Sequence, residues 1–262
     1  MGRQQTLKAW TNARWKATSN SLVRENRKTT MILIFDYFET LLNSKSMDFN
    51  RGLKIFWEKY YKDKCKFEDI KTYGEELFQV LMSRHAEWKE FPFVEEELPL
   101  YAEKFGGEVV SMDAEEEADF LMACNEFEIN PGIEDLLKES EQRNIPMYVL
   151  SNSGFRAEAL LIILNRKGLG KYFKGIWSSA DFGRTKPCKE FFELAIQSAL
   201  ADNPSEKREN IVYIGDLYET DVIGAYNAGI KVAWLNKKGE EDTKKLATYK
   251  TATTNEIKEK LF

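Results

Sequence analysis

The run Met31-Ile32-Leu33-Ile34-Phe35-Asp36-Tyr37-Phe38-Glu39-Thr40-Leu41 decides the fold of this chain. Five apolar residues lead directly into a carboxylate, and a short turn ending at Thr40 follows. An uninterrupted apolar run of this length is typical of a strand that is buried on both faces in a parallel sheet. Asp36 would then lie at the carboxyl end of that strand, where open α/β sheets bind their ligands.

Composition narrows the classes of protein to which the chain can belong. Its 262 residues allow one large domain or a core domain with a smaller insert, and 43% hydrophobic residues can form a sizeable core. No apolar run approaches the length of a membrane span, and a net charge of -5 gives no sign of nucleic-acid binding. We therefore expect no nucleic-acid partner and no association with a membrane.

The cysteines and the histidine exclude further classes of site. Cys65, Cys124 and Cys188 lie far apart without a CxxC pair, which argues against a disulfide framework or a thiolate zinc site. Their spacing indicates a reducing, cytoplasmic location. His85 is the only histidine in the chain, so a histidine-rich metal site is excluded.

The first 30 residues differ from the rest in charge. They contain seven basic side chains and one acidic side chain, Glu25, and they are rich in Ser, Thr and Asn. This composition is compatible with a transit peptide. Because such tails are usually poorly ordered, we predict a basic, flexible extension over residues 1–30.

Residues 44–128 are predicted to form a helical insert of roughly four helices. Apolar and aromatic residues recur there at helical spacing, and no strand pattern interrupts them. The four sets are Phe49 to Tyr61, Ile70 to Leu81, Leu98 to Tyr101, and Phe120 to Phe127. Aromatic residues at this spacing favour a packed core over a cofactor site.

The rest of the chain alternates between strand and helix patterns. Four further apolar strands are predicted at Met147–Leu150, Gly175–Trp177, Ile211–Ile214 and Lys231–Leu235. Strands that alternate with helices at this spacing predict an α/β fold with a parallel, doubly wound sheet. The core would comprise residues 31–43 and 129–262.

Polar residues follow several of these strands, and their side chains should meet at one edge of the sheet. They are Asp36 and Thr40, Ser151 and Asn152, Lys186, and Asp216 with Asp221. Three carboxylates in one cleft repel one another unless a cation lies between them, and carboxylate oxygens suit Mg²⁺. Ser151, Lys186 and backbone N–H groups suit a phosphate or another oxyanion. A carboxylate nucleophile facing a phosphoryl group is a known covalent strategy.

From Met31 nearly to its end, the sequence resembles the haloacid dehalogenase (HAD) superfamily. The family's four motifs occur in order, and the helical insert lies between the first and second motifs, where the family has a small helical cap. The motifs read Asp36-Tyr37-Phe38-Glu39-Thr40, then Ser151-Asn152, Arg184-Thr185-Lys186-Pro187, and Gly215-Asp216-Leu217-Tyr218-Glu219-Thr220-Asp221.

The resemblance implies a role for each matching residue. Asp36 would be the nucleophile that forms an aspartyl-phosphate, and Ser151 and Lys186, with Asn152, would bind the transferring group. Asp36, Asp216 and the main-chain carbonyl of Phe38 would ligate Mg²⁺. Asp221 would act on the metal through water or by orienting Lys186, and Thr40 would support the first loop.

Phe38 departs from the family's phosphatase pattern. Phosphatases of the family carry a second Asp at this position, which protonates the leaving oxygen and later activates water. Phe38 can do neither, and losing a general acid–base typically costs about 10²–10⁴-fold in rate. The Gly that often follows is Glu39 here, and Glu39 is a candidate for the missing proton donor.

Three hypotheses about function remain open from the sequence. The first is a Mg²⁺-dependent phosphatase of small phosphorylated metabolites that favours activated esters. The second is a 2-haloacid dehalogenase, because the family's dehalogenases place an aromatic residue at the Phe38 position, although they usually lack the pair Asp216 and Asp221. The third is a catalytically silent HAD-fold binding protein. Arg84 and His85 of the insert are interpreted as helix-surface residues that could also touch substrate.

Overall fold

The structure, a computed structural model, describes residues 31–262. The predicted basic extension over residues 1–30 lies outside the described residues. Within the described part, no helix is both long enough and apolar enough to cross a membrane.

A six-stranded parallel sheet forms the centre of the core. Its strands are β1 Ile32–Phe35, β4 Met147–Ser151, β5 Phe173–Ser178, β6 Ile211–Gly215, β7 Lys231–Leu235 and β8 Tyr249–Thr251, in the order β5-β4-β1-β6-β7-β8. All five predicted strands are confirmed to within two residues at each end. β1 lies between β4 and β6, so the chain winds outward in both directions from Asp36.

The side chains of β1 explain why the sheet is covered on both faces. Leu33 and Phe35 belong to one buried apolar cluster, whereas Ile32 and Ile34 belong to a second cluster on the opposite face. Successive residues of a strand point to opposite faces, so a strand that is apolar at every position must be covered twice. The predicted doubly wound sheet is therefore confirmed.

Helices cover both faces of the sheet. From β4 to β7 they alternate with the strands, as predicted, whereas β8 follows β7 without a helix between them. The core helices are α5 Ile133–Gln142, α6 Ala157–Arg166, α7 Ser179–Phe182, α8 Lys189–Asp202, α9 Ile223–Asn227 and α10 Thr254–Leu261, with a π-helical turn at Tyr218–Val222. Strand β8 and helix α10 are elements that the sequence analysis did not predict.

The insert contains the expected helices around an apolar core of its own. They are α1 Phe49–Tyr60, α2 Phe67–Ala86, α3 Leu98–Phe105 and α4 Ala114–Cys124, with a π-helical turn at Phe93–Glu97 before α3. The predicted aromatic residues Phe56, Tyr61 and Tyr101 are buried together there. Their role is packing, as the sequence analysis concluded.

A two-stranded antiparallel sheet joins the insert to the core, and the prediction of an insert without strands is wrong. β2 Leu42–Met47 pairs with β3 Asn125–Ile129, and the register shifts between Ser44 and Ser46. Phe127 therefore lies on a strand and not on the last helix of the insert. The pattern was missed because four of the six residues of β2 are polar, so the strand carries little apolar alternation.

Candidate active site

Asp36 follows the central strand, as predicted, and the neighbouring strand fixes its backbone. The Asp36 amide donates to the carbonyl of Ile214 at 2.8 Å, which continues the pairing of β1 with β6 beyond Phe35. The side chain is only 6% exposed. Burial raises the pKa of the Asp36 carboxyl to about 6, although the ammonium of Lys186 opposes the shift.

Lys186 connects the motifs that the sequence separates. Its ammonium nitrogen lies 2.6 Å from Asp36 Oδ1, 2.7 Å from Asp221 Oδ1 and 2.8 Å from the Tyr213 hydroxyl. The side chain is 2% exposed, and the two carboxylates raise its pKa against the effect of burial. All three donors of the ammonium are therefore used within the site.

Asp221 faces Lys186, and both of its oxygens are occupied. Oδ1 accepts from Lys186 and from the Tyr213 hydroxyl, while Oδ2 accepts from the Leu217 amide at 3.0 Å. A Cβ at Gly215 would lie 2.5 Å from this carboxylate, so only glycine leaves room for it. The geometry favours the expectation that Asp221 orients Lys186 over direct ligation of a metal.

Asn152 holds the main chain of Lys186 from both sides. Its Oδ1 accepts from the Lys186 amide at 2.6 Å, and its Nδ2 donates to the Lys186 carbonyl at 3.2 Å. Ser151 is fully buried at the end of β4. Its hydroxyl donates weakly to the Asn152 carbonyl at 3.4 Å, which leaves it able to turn toward a ligand.

A cleft of about 370 Å³ opens above these residues. Within residues 31–262, its lining comes from the core segments and not from the insert. The lining residues are Asp36, Phe38, Glu39, Asn152, Lys186, Asp216, Leu217, Thr220, Leu235, Asn236, Lys237, Lys238 and Glu240. Most of the predicted site residues therefore border space for a small molecule, whereas Thr40, Ser151 and Asp221 do not line this cleft.

The carboxylates at this edge form a donor set that suits a divalent cation. One oxygen each from Asp36, Asp216 and Asp221 lies within 4.8 Å of the others. Burial and the charges of Asp36 and Asp221 raise the pKa of Asp216 to about 8. A cation would relieve this repulsion, and oxygen ligands of this kind suit Mg²⁺.

Phe38 supplies a free carbonyl and an aromatic ring. No hydrogen bond that we find between described residues ends on its main-chain carbonyl, which is the predicted third metal ligand. The ring is half-buried and packs against Tyr37 at 4.8 Å and Phe127 at 6.0 Å between centroids. The side chain therefore closes one wall of the cleft and brings no proton donor to it.

Glu39 occupies a backbone conformation that glycine normally takes, with φ at 56°. Its Oε1 accepts from the Ser44 amide at 2.8 Å, and its carbonyl accepts from Lys237 Nζ at 2.7 Å. Asn130 donates to the carbonyls of Glu39 and Thr40. These bonds stabilise the first loop, whereas the buried Thr40 hydroxyl itself has no partner that we find among residues 31–262.

Some residues of the site were missed from the sequence. Tyr213 lies within an apolar strand, so its hydroxyl gave no separate signal. Asn236 and Lys237 directly follow β7, and the rule that located Asp36 and Ser151 would have found them.

The insert residues that were candidates for substrate contact have other partners. His85 binds the Glu90 carboxylate at 2.8 Å, and the Arg84 guanidinium lies 4.8 Å from the Phe91 ring and donates to the Glu90 carbonyl. Neither belongs to the lining of the cleft.

Comparisons with known proteins agree on the family to which this architecture corresponds. A family model described as haloacid dehalogenase-like hydrolase matches residues 30–229. The pyrimidine 5'-nucleotidase YjjG of Escherichia coli (strain K12) is 32% identical over 132 residues, which cover 50% of this chain and 56% of that protein. The match therefore spans about half the length of this curated relative.

Solved structures share the fold at low sequence identity. A 2-haloacid dehalogenase from Pseudomonas syringae pv. tomato superposes with a TM-score of 0.60 at 20% identity, covering 88% of this chain and 98% of that chain. The HAD-hydrolase YfnB from Bacillus subtilis, bound to magnesium, gives a TM-score of 0.56 at 22% identity, covering 89% and 99%. At these identities the likeness establishes the fold alone.

Proposed function

The chain belongs to the haloacid dehalogenase-like hydrolase family, and from that premise we propose a Mg²⁺-dependent phosphatase of a small phosphorylated metabolite. The observation that carries the proposal is the arrangement of Asp36, Lys186 and Asp216 around one cleft. It combines a carboxylate nucleophile, a buried cation and a second carboxylate for a metal. We also propose residues 44–128 as the cap domain of this enzyme.

In the proposed reaction, a carboxylate oxygen of Asp36 attacks phosphorus. The new P–O bond forms as the bond to the leaving oxygen breaks, which gives an aspartyl-phosphate and the leaving group as an alkoxide, phenolate or carboxylate that takes any proton from water. Water then cleaves the acyl-phosphate and releases inorganic phosphate. Lys186 would hold Asp36 in place from Oδ1 and offset the charge of the phosphoryl group, while Asn152 fixes the main chain of Lys186. The Ser151 hydroxyl at the end of β4 would bind the phosphoryl group.

Asp36, Asp216 and the Phe38 carbonyl would hold Mg²⁺, with Asp221 acting through Lys186. The bound ion would neutralise the carboxylates and the phosphoryl oxygens. Support comes from the raised pKa of Asp216, at about 8, and from the free carbonyl of Phe38. The structure of the similar HAD-hydrolase YfnB contains bound magnesium.

Phe38 restricts the substrates that this site can use. Because the ring at this position cannot protonate the leaving oxygen, esters whose leaving group is stable as an anion should react fastest. We therefore propose a preference for aryl and acyl phosphates over alkyl phosphates. The name of the E. coli relative adds pyrimidine nucleoside 5'-monophosphates to the substrates worth testing.

We also propose a reducing, cytoplasmic location for the enzyme. Cys65, Cys124 and Cys188 are all free thiols in the structure, which supports the location expected from their spacing.

A second candidate is 2-haloacid dehalogenation by attack of Asp36 on carbon. The aromatic ring of Phe38 beside the nucleophile favours it, because halide leaves without a proton. Against it stands the Asp216 carboxylate, which a metal-independent displacement does not need.

The deciding experiment is a screen of phosphate esters and 2-haloacids with and without Mg²⁺, run beside Asp36→Asn. Release of phosphate that requires Mg²⁺ and Asp36 supports the phosphatase. Chelator-insensitive release of halide that requires Asp36 supports the dehalogenase. Binding of a phosphorylated ligand that protects the protein but is not cleaved, with no trapping of Asp36 by beryllium fluoride, would indicate a binding protein. That result would overturn both the phosphatase and the dehalogenase.

A further inference from the structure

A short segment of the insert, Trp88–Phe93, pairs with the two core loops that carry the site's polar residues; we call it the 88–93 strap. The Glu90 amide donates to Gly183 at 3.1 Å, and the Thr185 amide donates to Trp88 at 3.2 Å. At its other end, the Phe93 amide donates to Gly154 at 2.8 Å. The strap therefore contacts the chain directly before Lys186 and directly after Ser151-Asn152-Ser153.

The Glu90 carboxylate lies at the centre of this junction, and its side chain is fully buried. Oε1 accepts from the Phe91 amide at 2.9 Å and contacts His85 Nε2 at 2.8 Å. Oε2 accepts from the Ser179 hydroxyl, and that hydroxyl accepts from the Ser153 amide at 2.8 Å. One carboxylate thus connects a helix of the insert to the loop that follows Ser151.

A buried carboxylate is costly to desolvate unless its oxygens are satisfied by hydrogen bonds, and here both are. Its partners lie on three separate segments of the chain: helix α2, helix α7 and, through Ser179, the loop after β4. Because Glu90 bonds to α2 and, through Ser179, to the loop after β4, moving the strap would break several hydrogen bonds together. We propose that Glu90 is a positioning residue that holds the Ser151 and Lys186 loops in register for the reaction.

The two loops are linked to each other by the hydrogen bonds between Asn152 and the main chain of Lys186. A displacement of either loop therefore changes the position of the Lys186 ammonium relative to Asp36. Misplacement of a reacting group by about 1 Å can cost about a hundredfold in rate. The strap contributes no residue to the cleft lining, so Glu90 acts through the loops and not on the substrate.

Glu117 offers a matched control elsewhere on the insert. Its carboxylate is also fully buried and also bridges the insert to the core, by accepting from Arg156 N at 2.7 Å and from Arg156 Nε at 2.6 Å. These bonds end on Arg156, the residue before α6, and none of them reaches the 183–186 loop. Loss of Glu117 should therefore weaken the attachment of the insert without moving the Lys186 loop.

The inference rests on the proposed phosphatase function, so the test has one readout that needs activity and one that does not. The variants are Glu90→Gln, Ser179→Ala and Glu117→Gln in the full chain, assayed with p-nitrophenyl phosphate and Mg²⁺. For Glu90→Gln and Ser179→Ala we expect kcat to fall about tenfold with KM changed less than about threefold. For Glu117→Gln we expect a lower Tm with kcat within about twofold of wild type.

The second readout is amide hydrogen exchange in 153–154 and 183–186. It should accelerate about tenfold in Glu90→Gln and Ser179→Ala and stay unchanged in Glu117→Gln. Wild-type kcat and exchange in Glu90→Gln would overturn the proposal, as would an equal loss of kcat in Glu117→Gln. If Glu90→Gln does not fold, Ser179→Ala decides. If the wild type cleaves no phosphate ester, the proposed function fails, and exchange alone decides whether Glu90 holds the loops.

Discussion

The ammonium nitrogen of Lys186 lies 2.6 Å from Oδ1 of Asp36, although 150 residues separate the two side chains. Both groups are almost completely buried, and Asp221 completes the network on the other side of the ammonium. Removing one charged partner from such a network is costly in free energy, because the charges that remain are buried and unpaired.

Replacing Lys186 by Met should therefore abolish turnover and destabilise the fold by about 3–5 kcal/mol. Urea unfolding measures the loss of stability. The double variant Asp36→Asn/Lys186→Met should lose less stability than the sum of the single variants, because one unpaired charge is then absent. Additive losses would contradict the network.

Replacing Phe38 by Asp should raise the hydrolysis of alkyl phosphates by about tenfold or more, because the side chain can then protonate the leaving oxygen. The loss of the ring contacts with Tyr37 and Phe127 should lower stability by about 1 kcal/mol. Phe38→Asn is the matched control, since it makes a similar change in volume without an acid. Equal rates for the two variants would contradict our account of Phe38.

The backbone of Glu39 should show measurable strain, because its φ is 56°. Glu39→Ala and Glu39→Gly both lose the bond to the Ser44 amide, but only glycine relaxes in this conformation. We expect the Gly variant to be more stable than the Ala variant by about 1 kcal/mol in urea unfolding. Equal stabilities would show that the loop carries no strain at this position.

The Glu39 carboxylate is turned toward the Ser44 amide, so we do not expect it to donate the missing proton. Glu39→Gln keeps an acceptor for that amide. The pH–rate profile of this variant for p-nitrophenyl phosphate should therefore match that of the wild type. Loss of one limb of the profile would instead identify Glu39 as the proton donor.

Glu97 should make the stability of the protein depend on pH. Burial in the insert raises its folded pKa to about 8 from an ordinary value of 4.5. The folded state therefore favours the protonated acid, and ionised Glu97 destabilises it. The contribution of Glu97 to the free energy of unfolding is fully present below about pH 4.5 and is lost as the pH rises through about 8. Over this window, Glu97→Gln should gain up to about 3 kcal/mol relative to wild type.

Urea unfolding of Glu97→Gln at pH 5, 7 and 8.5 measures this gain. Glu95→Gln, at an exposed position of the same segment, is the control and should differ little from the wild type. A constant difference between Glu97→Gln and wild type over this pH range would contradict the raised pKa of Glu97.

The sheet and most of the site followed from short-range features of the sequence. Apolar runs identified the central strands because a strand buried on both faces has to be apolar at every position. The first polar side chain after each of three runs then identified Asp36, Ser151 and Asp216, since the carboxyl ends of parallel strands share one edge. By contrast, β2 was missed because four of its six residues are polar and only one residue, Leu42, is buried.

The sequence by itself determined which residues meet at the edge of the sheet, because that convergence follows from the parallel order of the strands. Only the tertiary structure decided how they are connected. The ammonium of Lys186 is shared between Asp36, Asp221 and Tyr213, and Glu90 joins the insert to the loop after Ser151. These contacts depend on how loops and insert pack across long sequence separations, and no local pattern of apolar and polar residues encodes that packing.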